Sequence, residues 1–415
     1  MRRRDWFDWH SWVGVNLALL LTFILLTGSL ATVSREIDWL FQPAMRAQSA
    51  VPVESLPWAQ MLSSFHAAFP DAAPHYLQAP VAPWFAPELT ALDAEGQRFR
   101  VFFDAASGEV QGSARWFNWQ RFLRQSHRHL MLPLWLGLSI VGLLALPLLV
   151  TLISSLYIYR QWWRGFFRRP GSGRARRAAS VPRTAVRSLR QWWGDLHRLA
   201  GVWSLWFILL SGVTGLWYLA ELWGLAARYP PVPAAAEPVA HEYSSRVFSA
   251  ATLREALARA RRDYPALSIR AIRFDHRRGV LLLQGQAQAL LVRDRANHAA
   301  YDAAASLVDL RRGEALGWHL RISEAADPLH FGTLGGTPTR LLWAFFGLLM
   351  TGLSASGVYL YGLRLLSRPP EGPAPPRALA YALRRIPLRY AAPSATLVVL
   401  ALLLGAISWW APVWA

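Results

Sequence analysis

The chain has 415 residues, 53% of them hydrophobic, with 44 basic and 25 acidic side chains and a net charge of +19. Every basic side chain is Arg, and there is no Cys, which excludes disulfides, thiolate-bound zinc, iron–sulfur clusters and covalently attached c-type haem. Five uncharged apolar runs, each reaching the length of about 20 residues that crosses a bilayer, exclude a soluble protein. They are Ser11 to Ser34, Leu130 to Tyr159, Leu199 to Ala220, Leu341 to Leu363 and Ala391 to Ala415.

Charge sets the expected orientation. The segment Arg160 to Arg198 holds eleven Arg and one acid, and the start (Arg2, Arg3, Arg4) and the segment Arg364 to Arg389 are also basic. By the positive-inside rule these three face the cytoplasm, which puts the N-terminus in the cytoplasm and the C-terminus in the periplasm. The positive charge then reflects topology and attraction to the lipid bilayer, with no nucleic-acid partner. The first run is too long for a cleaved signal, and its His-bearing start recurs in mid-chain.

Taken in order, the chain divides into transmembrane helix one (1–34), an external segment (35–124), helix two (125–160), an Arg-rich cytoplasmic loop (161–190), helix three (191–221), a second external segment (222–326), helix four (327–363), a cytoplasmic loop (364–390) and helix five (391–415). In the first external segment, apolar spacing predicts a helix over Ser55 to Phe69. Strands are predicted at Leu89 to Leu92 and Arg98 to Asp104, and Asp104-Ala-Ala-Ser-Gly-Glu-Val110 reads as a turn into another strand. The second segment repeats the plan, with a Pro-rich lead (Pro230 to Pro238), a helix at Ala251 to Tyr264 and strands at Ser268 to Asp275, Gly279 to Gln284 and Ala289 to Arg293. Asp302-Ala-Ala-Ala-Ser-Leu-Val308 echoes the first turn, with Ser306-Leu307 replacing Gly-Glu. The expected fold is a membrane α-helical bundle of five helices with an internal two-fold repeat and two small periplasmic α+β domains.

The repeat also carries the chemistry. Asp8-x-His10-x-x-x-Gly14-Val15 with Thr27-Gly28 recurs as Asp195-x-His197-x-x-x-Gly201-Val202 with Thr214-Gly215, every identity 187 residues on. In a helix His10 and Gly14 share a face, so a flat group held by the imidazole could approach bare backbone. A second set of histidines precedes helices two and four: His127-Arg128-His129, and His330 within Leu329-His330-Phe331-Gly332. Both of those helices end in Tyr-x-Tyr, and counting back from the tyrosines places His330 opposite Arg128, so spacing does not choose between His127 and His129. Two levels, each with two His from different helices, suit two non-covalent bis-His haem b groups. His10 and His197 would bind haem iron on the cytoplasmic side, and His127 (or His129) with His330 on the periplasmic side. A bare metal-ion site is the competing reading, for which the apolar segments lack carboxylates. Trp9, Trp12, Trp203 and Trp206 flank the inner pair, and Arg128, Arg198, Arg321 and Arg340 stand near the two levels as candidate propionate partners.

Together, the paired helices with His at each start and the Asp104 to Val110 turn resemble the PepSY-associated transmembrane family of bacterial inner-membrane proteins, which includes siderophore-iron reductases of the ferrioxamine-reductase type. The resemblance covers about 5–390 and implies two PepSY-like external domains. It also implies a dihaem electron conduit that reduces a periplasmic ferric siderophore and releases Fe(II). No Walker loop, GxGxxG or nucleophile motif is present, so electrons come from a quinol or a cytoplasmic flavin reductase. The siderophore is expected in a cleft between the external domains, near Trp84, Trp116 and Trp318. The alternatives are a non-catalytic protein whose PepSY-like modules bind a periplasmic peptidase, and a metal transporter.

Overall fold

A backbone in lipid has no water to satisfy its N–H and C=O groups, so each apolar run must bond to itself and become helical. The computed structural model describes residues 2–167, 185–235, 248–366, 384 and 386–410. The first half runs α1 (Arg3–Asn16), α2 (Ala18–Thr32), α3 (Ser34–Phe41), α4 (Trp58–Ala68), β1 (Ala73–Gln78), β2 (Glu88–Leu92), β3 (Arg98–Phe103), β4 (Val110–Arg115), α5 (Trp119–His129), α6 (Leu134–Leu143) and α7 (Ala145–Ile158). The second half runs α8 (Ala185–Ala220), α9 (Ala250–Asp263), β5 (Ser268–Asp275), β6 (Val280–Gln286), β7 (Asn297–Tyr301), β8 (Leu307–Arg311), α10 (Trp318–Phe331), α11 (Gly336–Leu366) and α12 (Leu388–Trp410). Most of the Arg-rich loop, most of 364–390, His241 and the last five residues lie outside the described residues.

The chain forms two compact units, a membrane unit (Met1–Ser34, Arg121–Leu225 and Leu341–Trp410) and a strand-rich unit built from Arg35–Gln120 and Ala226–Arg340. In the membrane unit, Leu134–Ile158, Leu189–Leu225, Thr333–Leu365 and Leu388–Trp410 are long and apolar enough to cross a bilayer, and α1 with α2 make a fifth candidate bent by 70°. Sequence pattern predicts one continuous helix there; the break falls at Leu17. Asn16 contributes to it by donating its side-chain amide to the Trp12 carbonyl at 2.8 Å, in competition with the backbone ladder. The repeat copy, α8, runs through the matching positions Trp203 and Ser204 without a break. Pro133 caps α6 and Pro338 lies in the first turn of α11, as their fixed φ favours.

Small residues bring the helices close. A Cβ added at Gly347 would sit 2.4 Å from Ser29 Oγ, and one at Gly405 2.2 Å from Phe122 Cε2. The second contact fastens α12 to α5. Ala401 of α12 joins Leu20, Ile24 and Leu130 in a buried apolar cluster at the same corner.

In the strand-rich unit the two predicted modules are not separate. Their strands form a single eight-stranded antiparallel sheet in the order β4-β3-β2-β1-β5-β6-β7-β8. The modules join where β1 pairs with β5, Tyr76 opposite Arg273 and Gln78 opposite Ala271. Helices α4 and α9 pack on one another, and one buried cluster takes Phe65 and Leu62 from α4, Leu253 and Ala256 from α9, and Leu77, Ile272 and Leu283 from the sheet. Each of the Leu, Ile and Phe side chains stabilises the fold by about 1.5–3 kcal/mol. The two modules thus share one sheet and one core.

The Asp turns recur as predicted. Asp104 accepts from the Ala106 and Ser107 amides and from Ser49 Oγ, and these bonds hold its carboxyl below the usual carboxylate range. Asp302 accepts from the Ala304 and Ser306 amides. The first turn takes its left-handed residue at Gly108 (φ 74°) and the second at Ala305 (φ 58°), where a side chain costs more. The predicted strand Ala289 to Arg293 is a loop, because Leu291 is left-handed (φ 54°) and Leu290 is 78% exposed; the strand is β7 instead.

Two buried ion-pair groups stiffen this unit. Arg100 on β3 donates to Asp38 on α3 at 3.0 Å, and Asn118 donates to the same oxygen at 2.9 Å. Arg293 donates to Glu324 at 2.9 Å and to Asp327 at 2.6 Å, which pins the 287–296 loop to α10.

Candidate functional site

His10 and His197 both belong to the membrane unit. Helix α7 packs against both α1, which carries His10, and α8, which carries His197. His10 Nδ1–H donates to Ser154 Oγ on α7 at 3.0 Å, with the Thr151 carbonyl at 3.3 Å as a second acceptor. His197 Nδ1 and Ser356 Oγ on α11 share a hydrogen bond of 2.8 Å. The serines stand 202 residues apart, the same step that separates Tyr157 from Tyr359, so the two bonds are copies of one arrangement.

The ends of these helices repeat a second contact. Trp6 stacks on Tyr157 with ring centroids 4.4 Å apart, and Trp193, 187 residues after Trp6, meets Tyr359 edge-on at 5.3 Å. Sequence reasoning used the tyrosines but missed Ser154 and Ser356. The signal was present, since both helices read Ser-x-x-Tyr-x-Tyr.

The surroundings fit a flat group held through Nε2. Neither imidazole makes a hydrogen bond at Nε2 among the described residues. One turn on, a Cβ at Gly14 would meet nothing within 4 Å, and one at Gly201 would meet only Leu353 Cδ2 at 3.9 Å. The fit to a bare ion is poor, because no cluster of three or more His, Asp or Glu able to hold one occurs among the described residues. The predicted flanking tryptophans have other contacts: Trp12 meets Tyr390, Trp203 donates to the Phe166 carbonyl, and Trp206 packs with Trp343 and Phe346. Arg198 pairs with Asp195, Arg340 with Glu36 at 2.7 Å, and Arg321 donates to the Leu290 carbonyl, while Arg128 is exposed.

His127 and His129 lie near the end of α5, which the sequence reading had merged into helix two. His127 Nδ1–H donates to the Ile24 carbonyl of α2 at 2.9 Å, and its ring lies in the notch at Gly28, where an added Cβ would come 2.6 Å from Cε1. His129 Nδ1–H donates to the Leu132 carbonyl of its own turn at 2.8 Å. His330 lies on α10 in the strand-rich unit. Left-handed residues Leu130 (φ 56°) and Gly332 (φ 68°) follow α5 and α10 and stand 202 residues apart. His330 therefore matches Arg128 in backbone as in sequence, with His127 and His129 on either side. The five other described histidines, His66, His75, His276, His298 and His319, belong to the strand-rich unit; His276 and His298 are buried there, bonded to the Pro74 carbonyl and to Asp309.

The Gly28 notch gives a direct test of this seating. Gly28→Ala should drive the His127 ring from its place, and diethylpyrocarbonate labelling mapped by mass spectrometry should then rise at His127 severalfold while His66 labelling holds. Equal labelling of His127 in the two proteins would refute the packing described.

The geometry supports a membrane protein with paired, pre-oriented imidazoles in its helical unit. No curated protein matches the chain. A family model described as PepSY-associated TM region matches residues 7–364, from just before His10 to just past the second Tyr-x-Tyr, and the chain therefore belongs to the PepSY-associated TM family.

Proposed function

We propose that this protein is a bacterial inner-membrane dihaem b oxidoreductase that passes electrons from the cytoplasmic side to a periplasmic ferric siderophore, releasing Fe(II). The observation that carries the reading is the inner pair, two imidazoles from repeat-related helices, each tied at Nδ1 and unbonded at Nε2 beside a glycine gap. His10 and His197 would hold one haem b, and His127, or its neighbour His129, with His330 the other. Bound there, haem supplies one-electron transfer between its two iron states.

The chain's own residues hold the imidazoles in a fixed orientation. The apolar helices keep water and protons away from the path, and the Arg-rich segments set the orientation in the inner membrane, N-terminus in the cytoplasm and C-terminus in the periplasm. The substrate step is a single reduction, in which ferric siderophore plus one electron gives Fe(II) and free siderophore, because the softer, less charged ion is held less tightly by oxygen donors. The electron comes from a quinol or a cytoplasmic flavin reductase. A pyridine haemochrome assay on purified protein tests the reading, with about two haem b per chain expected. A colourless, correctly folded protein would end it.

A further inference from the structure

Within the membrane unit many hydroxyls bond only to a carbonyl of their own helix. Thr151 donates to Leu148, Ser155 to Leu152 and Thr351 to Gly347, the usual way to satisfy a hydroxyl in lipid. Ser154 and Ser356 do this as well, donating to Thr151 at 3.1 Å and to Leu353 at 3.2 Å. They differ in that each also shares a hydrogen bond with an imidazole Nδ1 of another helix, and the same pairing occurs in both repeat copies.

The partners bear on the tautomer. At His10 the Thr151 carbonyl beside Nδ1 can only accept, which calls for the proton on Nδ1. At His197 a hydroxyl has one proton, and when the Leu353 carbonyl takes it, Oγ meets the ring as an acceptor and Nδ1 carries the proton, with the Nε2 lone pair directed away from the serine. We infer that Ser154 and Ser356 are positioning residues that hold His10 and His197 in the Nδ1–H tautomer and aim their Nε2 atoms at a shared haem iron. The inference rests on the proposed dihaem reading and extends it to residues that touch no cofactor.

The two sites are unequal. His10 has the Thr151 carbonyl as a second acceptor at 3.3 Å, whereas for His197 Ser356 is the one acceptor among the described residues. Losing Ser356 should therefore cost more. A neutral hydroxyl also draws the Nδ1 proton less strongly than a carboxylate would, so these serines orient the ring and add to its imidazolate character by less than a carboxylate would.

The experiment compares Ser356→Ala, Ser154→Ala, Ser356→Thr and, as a control for an ordinary self-bonded serine, Ser155→Ala. Each is purified in detergent and shown monodisperse. Haem-depleted protein is titrated with hemin, and the midpoint potentials and low-spin electron paramagnetic resonance spectra of the loaded forms are recorded. Ser356→Ala should bind hemin at the inner site about 10- to 100-fold more weakly, the usual effect of losing a partner behind a metal-bound histidine, and raise that site's potential because the ring donates less charge to Fe(III). Ser154→Ala should show a smaller change, Ser356→Thr should restore wild-type values, and Ser155→Ala should not move them. Wild-type affinity and potential in Ser356→Ala would overturn the inference while leaving the dihaem reading intact, as would a larger loss in Ser154→Ala. A wild-type protein that takes up no hemin would remove both.

Discussion

Replacing His197 with alanine is expected to halve the haem content of the purified protein, from about two per chain to about one, and His10→Ala to do the same. Both residues would hold the same group, so the double variant should lose no more than either single one, the non-additivity expected of partners in one interaction. The remaining haem should survive because His127 is seated by contacts that neither inner histidine shares, the Ile24 carbonyl and the Gly28 notch. A pyridine haemochrome assay with circular dichroism as the folding control reads this directly. Loss of both haems from a folded single variant would show that the ligands are paired differently, and full retention would show that His197 is not a ligand.

The second large effect concerns stability. Arg100 and Asp38 have side chains 3% and 5% exposed, and the pair ties α3 to β3. Burial pushes the Asp38 carboxyl above the usual carboxylate range, against the pull of Arg100 beside it. Arg100→Met leaves that carboxyl buried without its cation, which should destabilise the strand-rich unit by about 3–5 kcal/mol. The double variant Arg100→Met/Asp38→Leu, which removes both charges, should recover most of the loss. In the single variant the carboxyl's folded pKa lies above its unfolded one, so the penalty is smallest below the unfolded value and grows as pH rises. Calorimetry from pH 4.5 to 8 tests both statements; a unit of this size shifts its midpoint by about 2–4 °C per kcal/mol. An unchanged midpoint for Arg100→Met at pH 8 would refute the account.

Much of the architecture was legible in the sequence, and the exceptions have physical causes. The spanning helices announce themselves because lipid demands long uncharged runs, and β5 follows from the alternation in Ser268 to Asp275. Strand β1 was missed because Ala73-Pro74-His75-Tyr76-Leu77-Gln78 has Pro near its start and little alternation. β7 was missed because Asn297-His-Ala-Ala-Tyr301 looks polar and weak, although all five residues are buried. The merging of two modules into one sheet was beyond local pattern, since a strand's own side chains do not say which distant edge it will meet. The inner histidines stand out through their repeat, while Ser154 and Ser356 looked like ordinary helix serines until their imidazole partners were in view. The break at Leu17 had one cue, Asn16, which a run of otherwise apolar residues conceals.

The pairing of β1 with β5 also sets an order of assembly. Gln78 and Ser268 bracket a stretch of chain that includes α6, α7 and α8 and must be made before β5 exists. At about 5–20 residues per second, ribosomal synthesis leaves β1 waiting on the order of ten seconds or more with one edge unpaired. During that interval Phe65 and Leu62 of α4 lack Leu253 and Ala256 of α9, their companions in the finished core. The first half of the sheet is thus a nascent template with an open hydrogen-bonding edge and a half-built apolar face, the combination that invites aggregation. Residues 35–120 made alone would carry this liability permanently, so the protein depends for its solubility in transit on the arrival of its own second half.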